Sequence, residues 1–192
     1  MQHSLTAARG TDRGFSLLEM LLATVILLVG LVAVAQLVPA SILLNFRNRT
    51  DSSALVYAQR ELDFMLAQPL TASSFSDSLG VYCPIGYTCN LGNPSSPNIL
   101  QGSPITTIYS SNAAGQNFGQ TLIDFSQSTV SNYSFPYQDP TDPAQTTYDV
   151  RWAVILTANN GAVVSKRIIL GIRQTNGNGY FQPITLDCTV SK

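Results

Sequence analysis

RGFSLLEMLLATVILLVGLVAVAQL, residues 13–37, decides how the rest of this chain is read. It opens on Arg13 and Gly14 and then turns apolar, apart from Glu19. After Glu19 the next charged residue is Arg47, so 27 consecutive positions carry no charge. The apolar run from Phe15 to Leu44 is 30 residues long. As a helix it extends about 45 Å, more than the ~30 Å of hydrocarbon in a bilayer. A buried helix of a soluble domain is shorter and carries a polar face. A secretory signal has an apolar core of roughly 7 to 15 residues and a small-residue cleavage site behind it. The run therefore reads as a membrane-spanning segment. A carboxylate inside such a segment costs on the order of 2.5 kcal/mol or more near the bilayer centre, and a plain anchor gives Glu19 nothing to do. Arg9 and Arg13 precede the run while Arg47, Arg49 and Arg60 follow it, so flanking charge does not set the orientation.

The same residues resemble the N-terminus of type IV prepilins and pseudopilins. In that family a short polar leader ends in glycine, and a dedicated peptidase cuts after it. The new N-terminal residue, usually phenylalanine, is N-methylated, and glutamate is the fifth residue of the mature chain. Here residues 1–14 form the leader, ending in Arg13 and Gly14, with Phe15 first and Glu19 fifth. The resemblance implies cleavage between Gly14 and Phe15, N-methylation of Phe15, and an assembly role for Glu19. In packed subunits the Glu19 carboxylate would meet the Phe15 amine of a neighbour. Pairing offsets the burial of both charges, whereas leaving either unpaired is costly, so such a pair fixes axial register. The implied partners are other pilin or pseudopilin subunits through the N-terminal helix, a prepilin peptidase/methyltransferase, the inner-membrane assembly machinery and the membrane. The implied location is the inner membrane, single-pass, with the head in the periplasm, and then a pilus or pseudopilus filament. Gly30 and Pro39 weaken the helix, and proline both removes a hydrogen bond and clashes with the preceding turn. A kink or local melting is expected at Pro39, the twenty-fifth mature residue, whereas the family's proline is the twenty-second. LLVGLVAVAQL most resembles the minor pilins of the PilV type. Direct resemblance covers about the first 45 residues.

Beyond the apolar run, residues 45–68 (NFRNRTDSSALVYAQRELDFMLAQ) continue as an amphipathic helix. Leu55, Ala58, Leu62 and Met65 recur at helical spacing, and Pro69 stops the helix. That stripe needs a partner, and YDVRWAVILTANNGAVVSKRIILGIRQ, residues 148–174, offers a sheet. Tyr148, Val150, Trp152, Val154 and Leu156 alternate with Asp149, Arg151, Ala153 and Ile155. A two-residue Asn160-Gly161 turn pairs Trp152 with Ile169 and mixes the faces. A three-residue Asn159-Asn160-Gly161 loop pairs Trp152 with Ile168, Val150 with Leu170 and Leu156 with Val164, and is preferred. It leaves Arg151, Arg167 and Arg173 on the opposite face near Asp149, expected to be solvated. Residues 70–145 are turn-rich: GNPSSPNILQGSP (92–104) reads as a loop, and TLIDFS (121–126) and YSFPY (133–137) as short strands. Asp139 and Asp142 in QDPTDPAQ suit Asp-Pro turn chemistry. The resulting expectation is an α+β, pilin-like fold. A transmembrane or filament-core helix (15–44) continues as an amphipathic half (45–68), packed on a small antiparallel β-sheet in an extracytoplasmic head (69–192).

Chemistry is sparse. Charged residues are 11% of the chain and the formal charge is −1. Residues 61–150 contain no Lys or Arg and seven acidic residues, so this region has no nucleic-acid footprint. Loss of residues 1–14 would remove two arginines, one aspartate and the only histidine, leaving a formal charge of −2. Without histidine, Ser-His-Asp and Cys-His catalysis and most zinc chemistry are excluded. No cofactor, metal or enzymatic activity is expected. The three cysteines are disulfide candidates. Cys83 and Cys89 in CPIGYTC close a tight loop in an oxidising compartment, or Cys188 pairs with either. Family pilins often carry a disulfide near the C-terminus, which the resemblance sets beside the local pairing. The function implied is that of a minor pilin-like structural subunit, assembled into or priming a type IV pilus for motility, adhesion or DNA uptake. A pseudopilin of a type II secretion system is the alternative, and a single-pass anchored binding domain the second.

Overall fold

A computed structural model describes residues 16–111, 117–138, 142, 145–176 and 182–191. Among the described residues one helix, α1 (Leu17–Ala67), is followed by nine strands: β1 (Ser74–Phe75), β2 (Cys89–Asn90), β3 (Leu100–Gly102), β4 (Ile105–Ser111), β5 (Asn117–Ile123), β6 (Ser134–Gln138), β7 (Thr147–Asn159), β8 (Ala162–Gln174) and β9 (Ile184–Ser191). The architecture is α+β and pilin-like: a long apolar N-terminal helix, then an antiparallel sheet. Contacts divide the chain into residues 1–46 and 47–192, and each unit is taken by itself.

In the first unit, Leu17–Ile42 has a mean hydropathy of 2.7 and none of its strongest window is buried. A helix that is apolar all round finds a partner only in lipid or in other apolar helices. The helix is continuous through Pro39, so the local melting expected there is absent. Proline needs to forgo only one backbone hydrogen bond, and the flanking turns hold the helical path.

In the second unit a five-stranded antiparallel sheet runs in the order β3-β7-β8-β9, and β6 also pairs with β7 alongside β3. One face receives the C-terminal part of α1. Ala54, Tyr57, Ala58, Leu62 and Met65 join Val150, Trp152, Val154, Leu156, Ile168, Leu170 and Ile172 in one buried core. The two alanines let the helix approach the sheet closely, and the Tyr57 ring stacks on Tyr137 at 3.6 Å. The buried stripe is rotated from the expected one: Leu55 is 37% exposed, while Tyr57 and Glu61 turn inward.

The central hairpin corrects the preferred turn. Asn160 and Gly161 both have positive φ, 50° and 80°, and Asn159 pairs directly with Ala162. This is the two-residue mirror-image turn that Asn-Gly favours. A register shift between Thr157 and Ala158 then restores the face alternation, so Trp152 pairs with Leu170, Val150 with Ile172 and Leu156 with Lys166. A bulge thus achieves what a longer loop was expected to achieve.

The opposite face is covered, contrary to the solvated face expected. The hairpin β4–β5 and the chain after it lay Ile123 and Phe125 on Ala153 and Ile169, forming a second core with Ile105 at its margin. Gly171 permits the approach, since a Cβ there would stand 2.7 Å from Ile123 Cβ. Arg151 is therefore only 5% exposed. Its guanidinium pairs with Asp149 at 2.8 Å and donates to the Gln127 oxygen at 2.7 Å. Arg151 and Arg173 also lie 5.1 and 4.9 Å from the centroid of the Phe125 ring, within the range of cation–π attraction. Arg167 pairs with Asp187 on β9 and remains partly exposed. Of the two expected short strands, YSFPY holds most of β6, but TLIDFS leaves its strand at Ile123. There Asp124 turns the chain by accepting from Ser126 N at 2.9 Å. The loop at 92–104 contains β3.

Candidate functional site

Glu19 lies in the first turn of α1 and is exposed. It is the one charged residue of the apolar Leu17–Ile42 segment and stands close to its start. An acidic side chain in a helix's first turn is favoured by the partial positive charge of the unpaired N–H groups there. The helix supplies only half a charge, so the full charge of an amine is the stronger partner. Gly14 and Phe15 lie outside the described residues, as does Asp139. Asp142 is described and accepts from the main chain and hydroxyl of Thr146, which is turn chemistry.

The cysteines separate. Cys83 and Cys89 are joined by a disulfide, with an S–S distance of 2.06 Å, and both are buried. Cys188 is a free thiol on β9, half-buried at the core margin. The disulfide ties down the segment between β1 and β2. There Asp77 accepts main-chain N–H groups from Val81 at 2.7 Å and from Leu79 and Tyr82 at 2.9 Å. Those donors hold its carboxyl below the usual range. Tyr82 stacks on Phe64 of α1 at 4.0 Å. The Arg60 guanidinium sits over the rings of Tyr57 and Tyr82 and donates to the Val81 oxygen at 2.8 Å. A loop with little core of its own is thus fastened to α1.

Besides Arg151, two further acidic or basic side chains are buried against expectation. Lys166, fully buried, donates from Nζ to the oxygens of Ala72 and Pro69 at 3.0 and 3.3 Å. It thereby satisfies carbonyls in the turn that follows α1. Burial pushes its amine down to about 8. Glu61, also fully buried, faces the core from α1. A signal for Glu61 exists in the sequence: Ala54, Tyr57, Ala58, Glu61 and Met65 share one helical face, and the polar residue was simply not expected to follow it inward. For Lys166 the signal is the bulge, which no alternation of residue types announces.

A groove of about 560 Å³ beside β6 is lined by residues including Tyr87, Asn132, Ser134, Pro136 and Asp149. Among the described residues, no group of three or more His, Cys, Asp or Glu side chains is placed to hold a metal ion.

The prokaryotic N-terminal methylation motif matches residues 9–35 of this chain. Comparisons with curated proteins and with solved structures gave no match. The matched stretch contains Gly14, Phe15 and Glu19 and extends through most of the apolar helix. The motif supports a likeness to the type IV pilin and pseudopilin superfamily. It points to a structural subunit, processed by a prepilin peptidase and assembled with other pilins, and not to an enzyme. The apolar helix is consistent with membrane anchoring before assembly.

Proposed function

We propose that this chain is a minor pilin-like subunit of a type IV pilus. Residues 1–14 are its leader, cut between Gly14 and Phe15 with N-methylation of Phe15, and Glu19 is the residue that sets its register among neighbouring helices. Residues 15–44 serve first as the membrane anchor and then as the filament core. Residues 69–192, with the amphipathic half of the helix (45–68), form a head on the periplasmic side. The observation that carries this reading is the methylation motif at residues 9–35, which overlaps the start of a helix long and apolar enough to cross a membrane. An exposed carboxylate in the first turn of that helix is costly in lipid and becomes useful when a neighbour's amine meets it. The likeness of LLVGLVAVAQL to PilV-type minor pilins favours the pilus over a secretion pseudopilus.

Deletion of the coding sequence in the native host tests the choice. The proposal expects fewer surface pili in the sheared fraction, restored by the wild-type chain but not by a Glu19→Ala chain. Normal piliation combined with a loss of type II protein export would replace it by the secretion reading.

A further inference from the structure

Glu61 is the one feature of the buried face of α1 that neither packing nor capping explains. It is 0% exposed, and neither carboxylate oxygen has a hydrogen bond of normal geometry among the described residues. Arg60 approaches Glu61 Oε1 only to 3.9 Å. It is held in another direction by the Val81 oxygen and by the faces of Tyr57 and Tyr82. Groups from three elements bear on the site. Tyr57 and Arg60 come from α1 itself, and Asp77 comes from the segment between β1 and β2. Tyr137 of β6 stacks on Tyr57. Asp77, fed by main-chain N–H groups, is the more readily ionised of the two acids and repels a second negative charge. An ionised Glu61 would therefore be a desolvated anion favoured by the Tyr57 hydroxyl and one part-exposed cation and opposed by one carboxylate, with burial outweighing them. Desolvated carboxylates in such surroundings take up a proton.

We propose that Glu61 enters the core as the neutral acid and acts as a proton-dependent latch, docking the 54–65 face of α1 on the sheet while protonated and loosening it when alkaline solution removes the proton. The site of loosening is the Tyr57–Tyr137 stack, one helical turn away. Burial, opposed by Tyr57 and Arg60 and reinforced by Asp77, pushes the Glu61 carboxyl up to about 8, against an ordinary value of 4.5. The direction of the pH effect follows. Below about 4.5 folded and unfolded chains both hold the proton, and the full stability is present. As the pH rises from there through about 8 the unfolded chain releases the proton first, and stability is lost. Over that window the folded-to-unfolded ratio falls by up to tenfold per pH unit.

The test uses the full mature chain in neutral detergent micelles. Unfolding is followed by Trp152 fluorescence and near-ultraviolet tyrosine dichroism between pH 5 and 8, for wild type and Glu61→Gln. The wild-type midpoint should fall across this range, while the E61Q midpoint should lose that slope and lie higher at pH 8. Equal slopes in the two proteins would overturn the latch. Should E61Q fail to fold, carboxyl-labelled glutamate in the wild type decides the matter, because Glu19 and Glu61 are the only glutamates and Glu19→Gln assigns the signals. A Glu61 signal titrating near pH 8 supports the latch, and one titrating near pH 4.5 refutes it.

Discussion

Trp152, at the centre of β7, donates its indole N–H to the main-chain oxygen of Asn90, 2.7 Å away and 62 residues earlier in the chain. The ring itself is fully buried, edge-on to Phe135 at 5.6 Å. One side chain thus fills the main core and anchors the strand that ends the disulfide loop. Trp152→Phe would leave the Asn90 oxygen without that donor and open a small cavity. It should destabilise the mature chain by about 2–4 kcal/mol in denaturant titration, from the lost bond and lost volume together.

Gly171 lets β5 settle on β8, because a methyl group there would meet Ile123 Cβ at 2.7 Å and Phe125 at 3.0 Å. Gly171→Ala should cost about 1–3 kcal/mol through overpacking. Amide exchange should show the loss as faster exchange in β4 and β5, with the α1 side of the sheet less affected.

The Cys83–Cys89 bridge closes a loop of six residues' separation. The chain-entropy argument gives a short loop of this kind about 2 kcal/mol. Cys83→Ser together with Cys89→Ser should lower stability by that order. Thiol titration of the oxidised, denatured mature chain should find a single reactive group, Cys188.

Lys166 predicts a pH limb opposite in sign to that of Glu61. Its amine is pushed down to about 8 from 10.5. Between those values the unfolded chain binds the extra proton, so stability rises with pH. Equilibrium unfolding of the mature chain should therefore show a rise between pH 8 and 10.5 that Lys166→Met abolishes.

How much of this was legible beforehand depended on whether a residue's fate was local. Gly14, Phe15, Glu19 and the uncharged run after them form one contiguous stretch, so the span and motif could be read directly. The alternation of Val150, Trp152, Val154 and Leu156 likewise disclosed which face of β7 is buried. Hairpin length was misjudged because face alternation repeats every two residues. A longer loop and a two-residue turn with a bulge both place Trp152 opposite an inward residue of β8, and the sequence pattern alone does not separate them. Arg151 was expected in solvent because nothing near it in sequence reveals that Phe125, 26 positions earlier, lies across its guanidinium. Glu61 shares a legible face with Ala54, Tyr57, Ala58 and Met65, and only its polar character argues against burial, whereas Lys166 is turned inward by the bulge at Thr157/Ala158, which no residue pattern announces.

The most direct measurement is the intact mass and N-terminal sequence of the protein isolated from its native membranes. The account predicts a chain beginning at Phe15 and one methyl group heavier than the sequence from that residue. A membrane-bound mature protein that still carries residues 1–14 would contradict it, and would leave Glu19 an unexplained charge on an apolar helix.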